Sequence, residues 1–414
     1  MKRLLTKMML FFKKSHNKKY FVEISLFFVA LVFLMYLATK DVVSNVFGAI
    51  VGFLFSTSLL YIFKLIGGML EDLLKINYDT DELAQLYNGR PDYKKTLRLG
   101  DSEVEFVYAH EFINDGEPLC VVDRPEKLFK LEGFIEGNFA QLFSAHSNST
   151  KMNFDTIRLD DFDRQSRTFY LSRSTYYNHL VTNRAVDFCL FDDVSLRDLY
   201  EYGPQLTDLS ESKMSNHIGI NALVFLSDGG LLIPRRKNDS TISKNKITSS
   251  IAIMLSFPEQ ISSDTKHAVI TAEYLLRGNI IKNLSDRTKI LPSALDENYI
   301  DVDFLGFGRN IYEGGKPQFY YAVHLNNIDT AEYYRQRALY TKDQKAKGKC
   351  DRLDVDRTMY VAGIDSFRFE GGEICFFATN EKGQKRDVKC GYEMSYLANI
   401  WHYLSKNGNT QKQE

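Results

Sequence analysis

Beyond residue 70 this chain of 414 residues has no further long apolar run, and nowhere does it carry C-x-x-C, H-E-x-x-H, G-x-S-x-G or a Walker loop. Each absence removes a class of chemistry. The missing motifs exclude the familiar zinc hydrolase, nucleophile-elbow hydrolase and P-loop nucleotidase patterns. Five scattered cysteines, Cys120, Cys189, Cys350, Cys375 and Cys390, are odd in number and fit reduced thiols better than a disulfide framework. None of the eight histidines stands at metal-ligand spacing with a cysteine. No internal repeat or low-complexity segment occurs, and an aromatic content of 13% is too high for a disordered linker. The formal charge of −1 includes seven basic residues ahead of position 20, so the remainder is acidic. An acidic body lacks the extended basic face that long nucleic acid requires, which leaves a small anion in a local basic pocket.

What the sequence does hold is concentrated at its start. Tyr20 to Thr39 and Val46 to Leu70 are two apolar segments separated by Lys-Asp-Val-Val-Ser-Asn. Each meets the roughly 20 residues a helix needs to cross hydrocarbon. Lys64 lies where its stem reaches the headgroups, so it does not end the second span. Lys2, Arg3, Lys7, Lys13, Lys14, Lys18 and Lys19 precede the first span against Lys40 alone in the turn. The positive-inside bias then places both termini in the cytoplasm of a two-span membrane protein. A cleaved signal peptide fits poorly, because its apolar region would be too long and a second span follows at once. Gly48, Gly52 and Ser56 form a small-residue stripe suited to close helix approach and membrane assembly.

Periodicity divides the chain into a basic tail (1–19), a transmembrane hairpin (20–70), a stalk helix with an α+β extension (71–209) and a final domain (210–414). In the extension, Arg98 to Val107 and Leu119 to Val122 read as strands. In the final domain, Ile218 to Leu226 is a β-rich run, Ser227-Asp-Gly-Gly230 a hairpin turn and Leu231 to Pro234 the returning strand, followed by Arg235-Arg-Lys237. Lys246 to Phe257 is a further strand. Ala268, Val269, Ala272, Leu275 and Leu276 recur at helical spacing, with Gly278 read as the residue that ends the helix. Ile300 to Phe307 and Gln318 to Leu325 bracket Glu313-Gly-Gly-Lys316 as another hairpin.

Strand, Asp-Gly turn, strand ending in paired arginines, further strand, one helix and return hairpin is the element order of Nudix domains. Gly219 to Arg236 resembles the first Nudix hairpin, and Asp303 to His324 the late one. In the hydrolytic members the helix carries Arg-Glu and Glu-Glu, whose carboxylates hold the divalent cation that activates water. Placing the last glycine of that box on Gly278 puts Arg-Glu on Thr271 and Ala272 and Glu-Glu on Leu275 and Leu276, while its first glycine and glutamate fall on Phe257 and Ser263. Leucine does not ligate a hard cation. The fold class expected is therefore a two-helix transmembrane hairpin plus an α+β region containing a degenerate Nudix-like α/β/α sandwich, with no hydrolytic activity, cofactor or metal.

That arrangement resembles the transmembrane Nudix effectors of bacterial cyclic-oligonucleotide anti-phage signalling (CBASS), whose sensor is the SMODS-associated Nudix domain. The resemblance implies a membrane-disrupting effector: a cyclic di- or trinucleotide made by a partner synthase binds the sensor, the protein assembles as a homo-oligomer, and the lipid bilayer is breached. A ligand of that kind calls for cations at its phosphates and aromatic or amide groups at its bases. Arg235, Arg236, Lys237, Lys244 and Lys246 flank the loop after the first hairpin and are the leading candidates. Asn221, Arg309, Asn310, Tyr320 and His324 are the others; Tyr320 and His324 share one strand face and Tyr321 the opposite one, and period alone does not say which lines a cleft. Tyr176, Tyr177, Asn178, Asn183 and Arg184 form a further polar and aromatic group with no assigned place. Two rival readings stand beside the effector: a membrane-tethered Nudix hydrolase of nucleoside diphosphate derivatives using Asp239, Glu259 or Glu273, and a membrane-anchored scaffold.

Overall fold

The computed structural model describes residues 83, 86–87, 93–111, 117–146, 152–190, 194–236, 246–258, 268–348, 359–380, 382–391 and 394–407. All belong to the unit Tyr78–Glu414. Strands β1 (Lys94–Leu99), β2 (Ser102–Val107), β3 (Ala109–Glu111), β4 (Cys120–Leu128), β5 (Asp155–Asp163) and β6 (Thr168–Thr175) precede residue 210, with short helices α1 (Gly133–Gly137), α2 (Phe139–Ser144), α3 (Tyr176–Val181) and α4 (Leu196–Tyr200) among them. Arg98 to Val107 is thus a hairpin and not one strand. Gly100 turns it at φ +61, and a Cβ there would stand 2.9 Å from the Phe367 carbonyl oxygen.

The second half builds a ten-stranded mixed sheet. Strands β7 (Gly219–Leu226), β8 (Leu231–Pro234), β9 (Ile251–Met254), β10 (Ile300–Asn310), β11 (Lys316–Leu325), β12 (Met359–Ala362), β13 (Phe367–Glu370), β14 (Glu373–Thr379) and β15 (Lys385–Cys390) join β3. The order is β13-β14-β12-β8-β7-β11-β10-β3, with β15 on β14 and β9 on β7. The β7 and β11 strands run parallel, from Gly219 beside Gln318 to Leu226 beside Leu325. Between them the chain makes a helix, as a parallel pair requires a crossover.

On the side away from β11, strand β7 has two partners and the sheet forks. Its start pairs with β9, Gly219 opposite Met254, while its end pairs with β8 only at Phe225 and Leu231. Ser250 holds the fork: its hydroxyl accepts from the Val224 amide at 2.9 Å and donates to the Leu232 carbonyl at 2.5 Å. Two backbone groups that the ladder leaves open are thereby satisfied.

Alternation along β7 feeds two cores. Ile220, Ala222 and Val224 enter one, with Phe307, Phe319 and Tyr321. This face is covered by α5 (Asn279–Thr288) through Ile280 and Leu284 and by a second, three-stranded sheet, β4-β6-β5, through Ile157, Leu159, Phe169 and Leu171. Leu223 and Phe225 enter the other core, with Tyr320 and Ala322, beneath α7 (Met394–Lys406) and the β1–β2 hairpin. Residues on both sides of position 210 therefore share one core.

The fold class differs from expectation and is corrected to α+β with mixed sheets. Among the described residues no helix is long and apolar enough to cross a membrane. The longest, α6 (Thr330–Ala346), has 17 residues, or about 25 Å of rise against roughly 30 Å of hydrocarbon. It also carries Glu332, Arg335, Arg337, Lys342, Asp343 and Lys345, charges that the bilayer interior rejects. The expected hairpin 20–70, with Gly48, Gly52 and Ser56, lies outside the described residues. The α/β/α sandwich is likewise too simple, because a second sheet shares one face with the helix.

A further difference concerns Gly278. The helix does not stop there: Tyr274–Gly278 is a π-helical turn that runs on into α5, which ends at Lys289 in the left-handed region at φ 65. Gly278 is helical at φ −58, and a Cβ on it would stand 2.8 Å from the Tyr274 ring. Its lack of a side chain serves packing and not a C-terminal cap.

Tyr108 gives the inner face a tight constraint. Its ring lies 5.8 Å from Tyr320 and 5.8 Å from His402, and a Cβ on Gly308 would fall on its hydroxyl. Gly308→Ala is therefore expected to destabilise by about 1–3 kcal/mol through overpacking, read as a lower urea midpoint with an unchanged slope. An unchanged midpoint would refute the contact.

Candidate ligand-binding site

The basic residues after the first hairpin are brought together where β8 ends. Arg235 bridges to Ile247 across the loop, and the Arg236 amide donates to the Lys246 carbonyl at 2.9 Å. Both arginines are half-buried and Lys246 is exposed. Arg236 Nη2 reaches Thr248 Oγ1 at 3.3 Å, while its Nε has no hydrogen-bond partner among the described residues. Lys237 and Lys244 lie outside the described residues. Arg236 and Lys246 stand opposite each other at this sheet end, while Arg235, one residue before, points to the other face; each cation suits a phosphodiester oxygen.

The remaining candidates fall elsewhere. Asn221, Tyr320 and His324 lie on the face beneath α7. Asn221 is 3% exposed and donates to Gln318 Oε1 at 3.0 Å. Tyr320 is fully buried and stacks on His402 at 4.6 Å; His324 is half-buried and stacks on Phe225 at 5.1 Å. Tyr321, on the opposite face, is also fully buried and donates its hydroxyl to the Leu275 carbonyl at 2.8 Å. Neither face of β11 lines an open cleft; both are core.

Arg309 and Asn310 enter the β10–β11 turn, which is buried from 309 to 316 although it is a hairpin turn. Arg309 Nε donates to the Gly315 carbonyl at 3.2 Å, and Asn310 Oδ1 accepts from the Tyr312 amide at 3.0 Å. Gly314 and Gly315 take φ +56 and +76. The turn is covered by the first half of the chain: Asn183 Nδ2 donates to the Glu313 carbonyl at 2.9 Å, and a Cβ on Gly314 would stand 2.9 Å from Val186 Cγ2. So Asn183 and Arg184, without a place in the sequence reading, sit on this turn.

Glu201 faces Arg309 there. Its Oε2 accepts from the Thr207 amide at 2.9 Å, and among the described residues neither its Oε1 nor Arg309 Nη2 has a hydrogen-bond partner. Burial pushes the Glu201 carboxyl up to about 7, against the opposing pull of the Thr207 amide and the Arg309 charge. Nothing in the sequence marks Glu201, since Arg309 lies more than a hundred positions away.

At the helix expected to bear the Nudix carboxylates, Leu275 is fully buried in the core beside Ile280 and Leu284. Glu273 is exposed, and Asp239 and Glu259 lie outside the described residues. Among the described residues no group of three or more His, Cys, Asp or Glu is placed to hold a metal ion.

Neither a protein-family model nor a curated protein matches this chain.

Proposed function

We propose that the unit Tyr78–Glu414 is a nucleotide-sensing module that binds a cyclic di- or trinucleotide without hydrolysing it. In this reading it is the sensor of an anti-phage effector of the CBASS kind, linked to a cyclic-oligonucleotide synthase and answering by a change in homo-oligomeric state. The observation that supports it is the fate of the Nudix box. On the Nudix resemblance Leu275 takes the position of a metal-binding glutamate; it is fully buried and its carbonyl accepts from the Tyr321 hydroxyl. Binding in place of hydrolysis is what such a replacement leaves. A ligand shifts an assembly equilibrium only by its differential affinity for the two states, so the resting form binds it less well. Membrane permeabilisation, the output of that effector class, concerns residues outside those described and forms no part of this proposal.

Isothermal titration of the full chain with cyclic di- and trinucleotides tests it. One of them is expected to bind, and the double variant Arg235→Ala/Arg236→Ala to weaken binding by roughly tenfold to a hundredfold, the worth of one or two charge-assisted hydrogen bonds. Light scattering is expected to register a larger assembly on binding. Silence toward every cyclic nucleotide, or magnesium-dependent release of phosphate from nucleotide substrates, would overturn the reading.

A further inference from the structure

The buried polar groups between α3, the 3-10 turn Asn183–Ala185 and the β10–β11 turn carry an inference independent of Arg235 and Arg236. His179 and His217 stack with ring centroids 3.6 Å apart, and both are nearly inaccessible. Among the described residues the Nδ1 atom of each finds no hydrogen-bond partner, and neither does Asn216 Nδ2. Asn216 is held at φ 46 by Asn183, whose Oδ1 accepts its amide at 2.8 Å and whose Nδ2 reaches its Oδ1 at 3.1 Å. Its amide group is thereby aimed in one direction. Buried polar atoms in folded proteins are nearly all satisfied, so three on Asn216, the adjacent His217 and the His179 stacked on it point to a polar occupant.

Charge says which kind. Lys316 Nζ meets Glu313 Oε2 at 2.8 Å, and Arg184 Nη1 approaches Glu313 Oε1 only to 3.7 Å. Two cations thus share one carboxylate. The Arg184 and Glu313 side chains are 14% and 10% exposed, so water screens the excess positive charge weakly. Both imidazoles feel that excess: burial and then neighbouring positive groups, Lys316 and Arg184 among them, hold each well below the usual histidine range. A metal cation is disfavoured by the sign of the field. An oxyanion would supply acceptors to the Asn216 amide, to an imidazole N–H and to the guanidinium, and would balance the charge.

We propose that this cluster of buried polar groups binds one phosphate-type oxyanion, held by Arg184 and Lys316 with Asn216 Nδ2 and the His179–His217 pair as further hydrogen-bond partners. The site joins α3 to the β10–β11 turn, so its occupancy clamps the first half of the chain onto the large sheet.

The full chain is titrated with inorganic phosphate against sodium chloride of equal ionic strength, following thermal melting and heat of binding. Phosphate is expected to raise the melting temperature above the chloride control, and Arg184→Gln to weaken phosphate by about tenfold. Arg184→Lys, which keeps the charge without the fork, is expected to weaken it less and serves where Arg184→Gln does not fold. A cyclic dinucleotide added to the phosphate complex identifies the source: displacement assigns the site to a nucleotide phosphodiester, and no displacement assigns it to free phosphate. Equal melting in phosphate and chloride overturns the proposal. So does a phosphate effect undiminished in both Arg184 variants, which would be general exclusion of the salt from the protein surface.

Discussion

Asp123→Ala is expected to lower the stability of the protein by about 3–5 kcal/mol, the loss usual when one partner of a buried ion pair is removed. The Asp123 carboxylate accepts from Arg173 Nη1 and Nη2 at 2.7 and 2.8 Å, and both side chains are 1% exposed. Its Oδ2 also accepts the Ile270 amide at 2.7 Å, and Arg173 Nη2 donates to the Ala268 carbonyl at 2.8 Å. One pair therefore ties strands β4 and β6 of the small sheet to the segment that starts the helix leading into α5. Truncating Asp123 leaves a guanidinium buried without its countercharge and the Ile270 amide without its acceptor, each of which is costly where water cannot enter. Asp123→Asn, which preserves shape, is expected to be nearly as damaging, because the charge remains unmatched. The double variant Asp123→Leu/Arg173→Met removes both charges and is expected to recover the share due to the unmatched guanidinium, leaving the loss from the unpaired Ile270 amide and Ala268 carbonyl. Urea denaturation of the four proteins decides it. A double variant no more stable than Asp123→Ala would mean that the pair does more than neutralise itself.

That pair also marks where sequence reasoning stops. Strand β7, the β10–β11 hairpin and the turns at Asp228-Gly229 and Gly314-Gly315 were legible because each is written within a few residues: β-branched and aromatic runs bounded by turn formers. The faces of those strands were not. Every residue of β7 is buried, as is every residue of β11 except His324, so apolar residues occupy both faces and a period of two has little to report. Gly278 looked like a helix end because glycine after an apolar stripe normally is one, whereas here the π-helical turn needs a residue without a side chain against Tyr274. The site suffered more. Arg235, Arg236 and Lys246 could be grouped because they flank one loop, but Asn183 meets the Glu313 carbonyl across 130 positions and Arg173 meets Asp123 across 50. A buried polar network of long sequence separation has no local signature, and His179, His217 and Glu201 are ordinary residues until the fold places them.

The same three-dimensional placement makes stability depend steeply on pH. His179 and His217 are held well below the usual histidine range, first by burial and then by nearby positive charge, and burial with the Arg184 charge lowers His146 to about 4. The unfolded chain protonates these rings near 6.5 and the folded chain does not. Their contribution is therefore fully present above about pH 6.5 and is lost as pH falls. Each ring that stays neutral adds about 1.4 kcal/mol per pH unit to that loss, and three together about 4. Glu201 works in the opposite sense. Its folded value of about 7 lies above the unfolded one, so its penalty grows as pH rises through that window and is constant above it, at about 3 kcal/mol. Below about pH 6.5, for as long as all three rings stay neutral in the folded chain, the net expectation is a fall of roughly 3 kcal/mol per unit, three histidines against one carboxyl. Glu201→Gln separates the two: it is expected to add about 3 kcal/mol at pH 8, to change little at pH 4.5, and to make the acid limb steeper by one group's share. Urea midpoints at pH 8.0, 6.5 and 5.0 for both proteins measure this. A wild-type stability that is flat from 6.5 to 5.0 would refute the buried neutral histidines, and a Glu201→Gln variant with no gain at pH 8 would refute the raised carboxyl. The anion proposed for the His179–His217 cluster predicts one modification of the curve: phosphate pairs with the protonated rings, raises their folded values, and so makes the acid limb shallower in phosphate than in chloride.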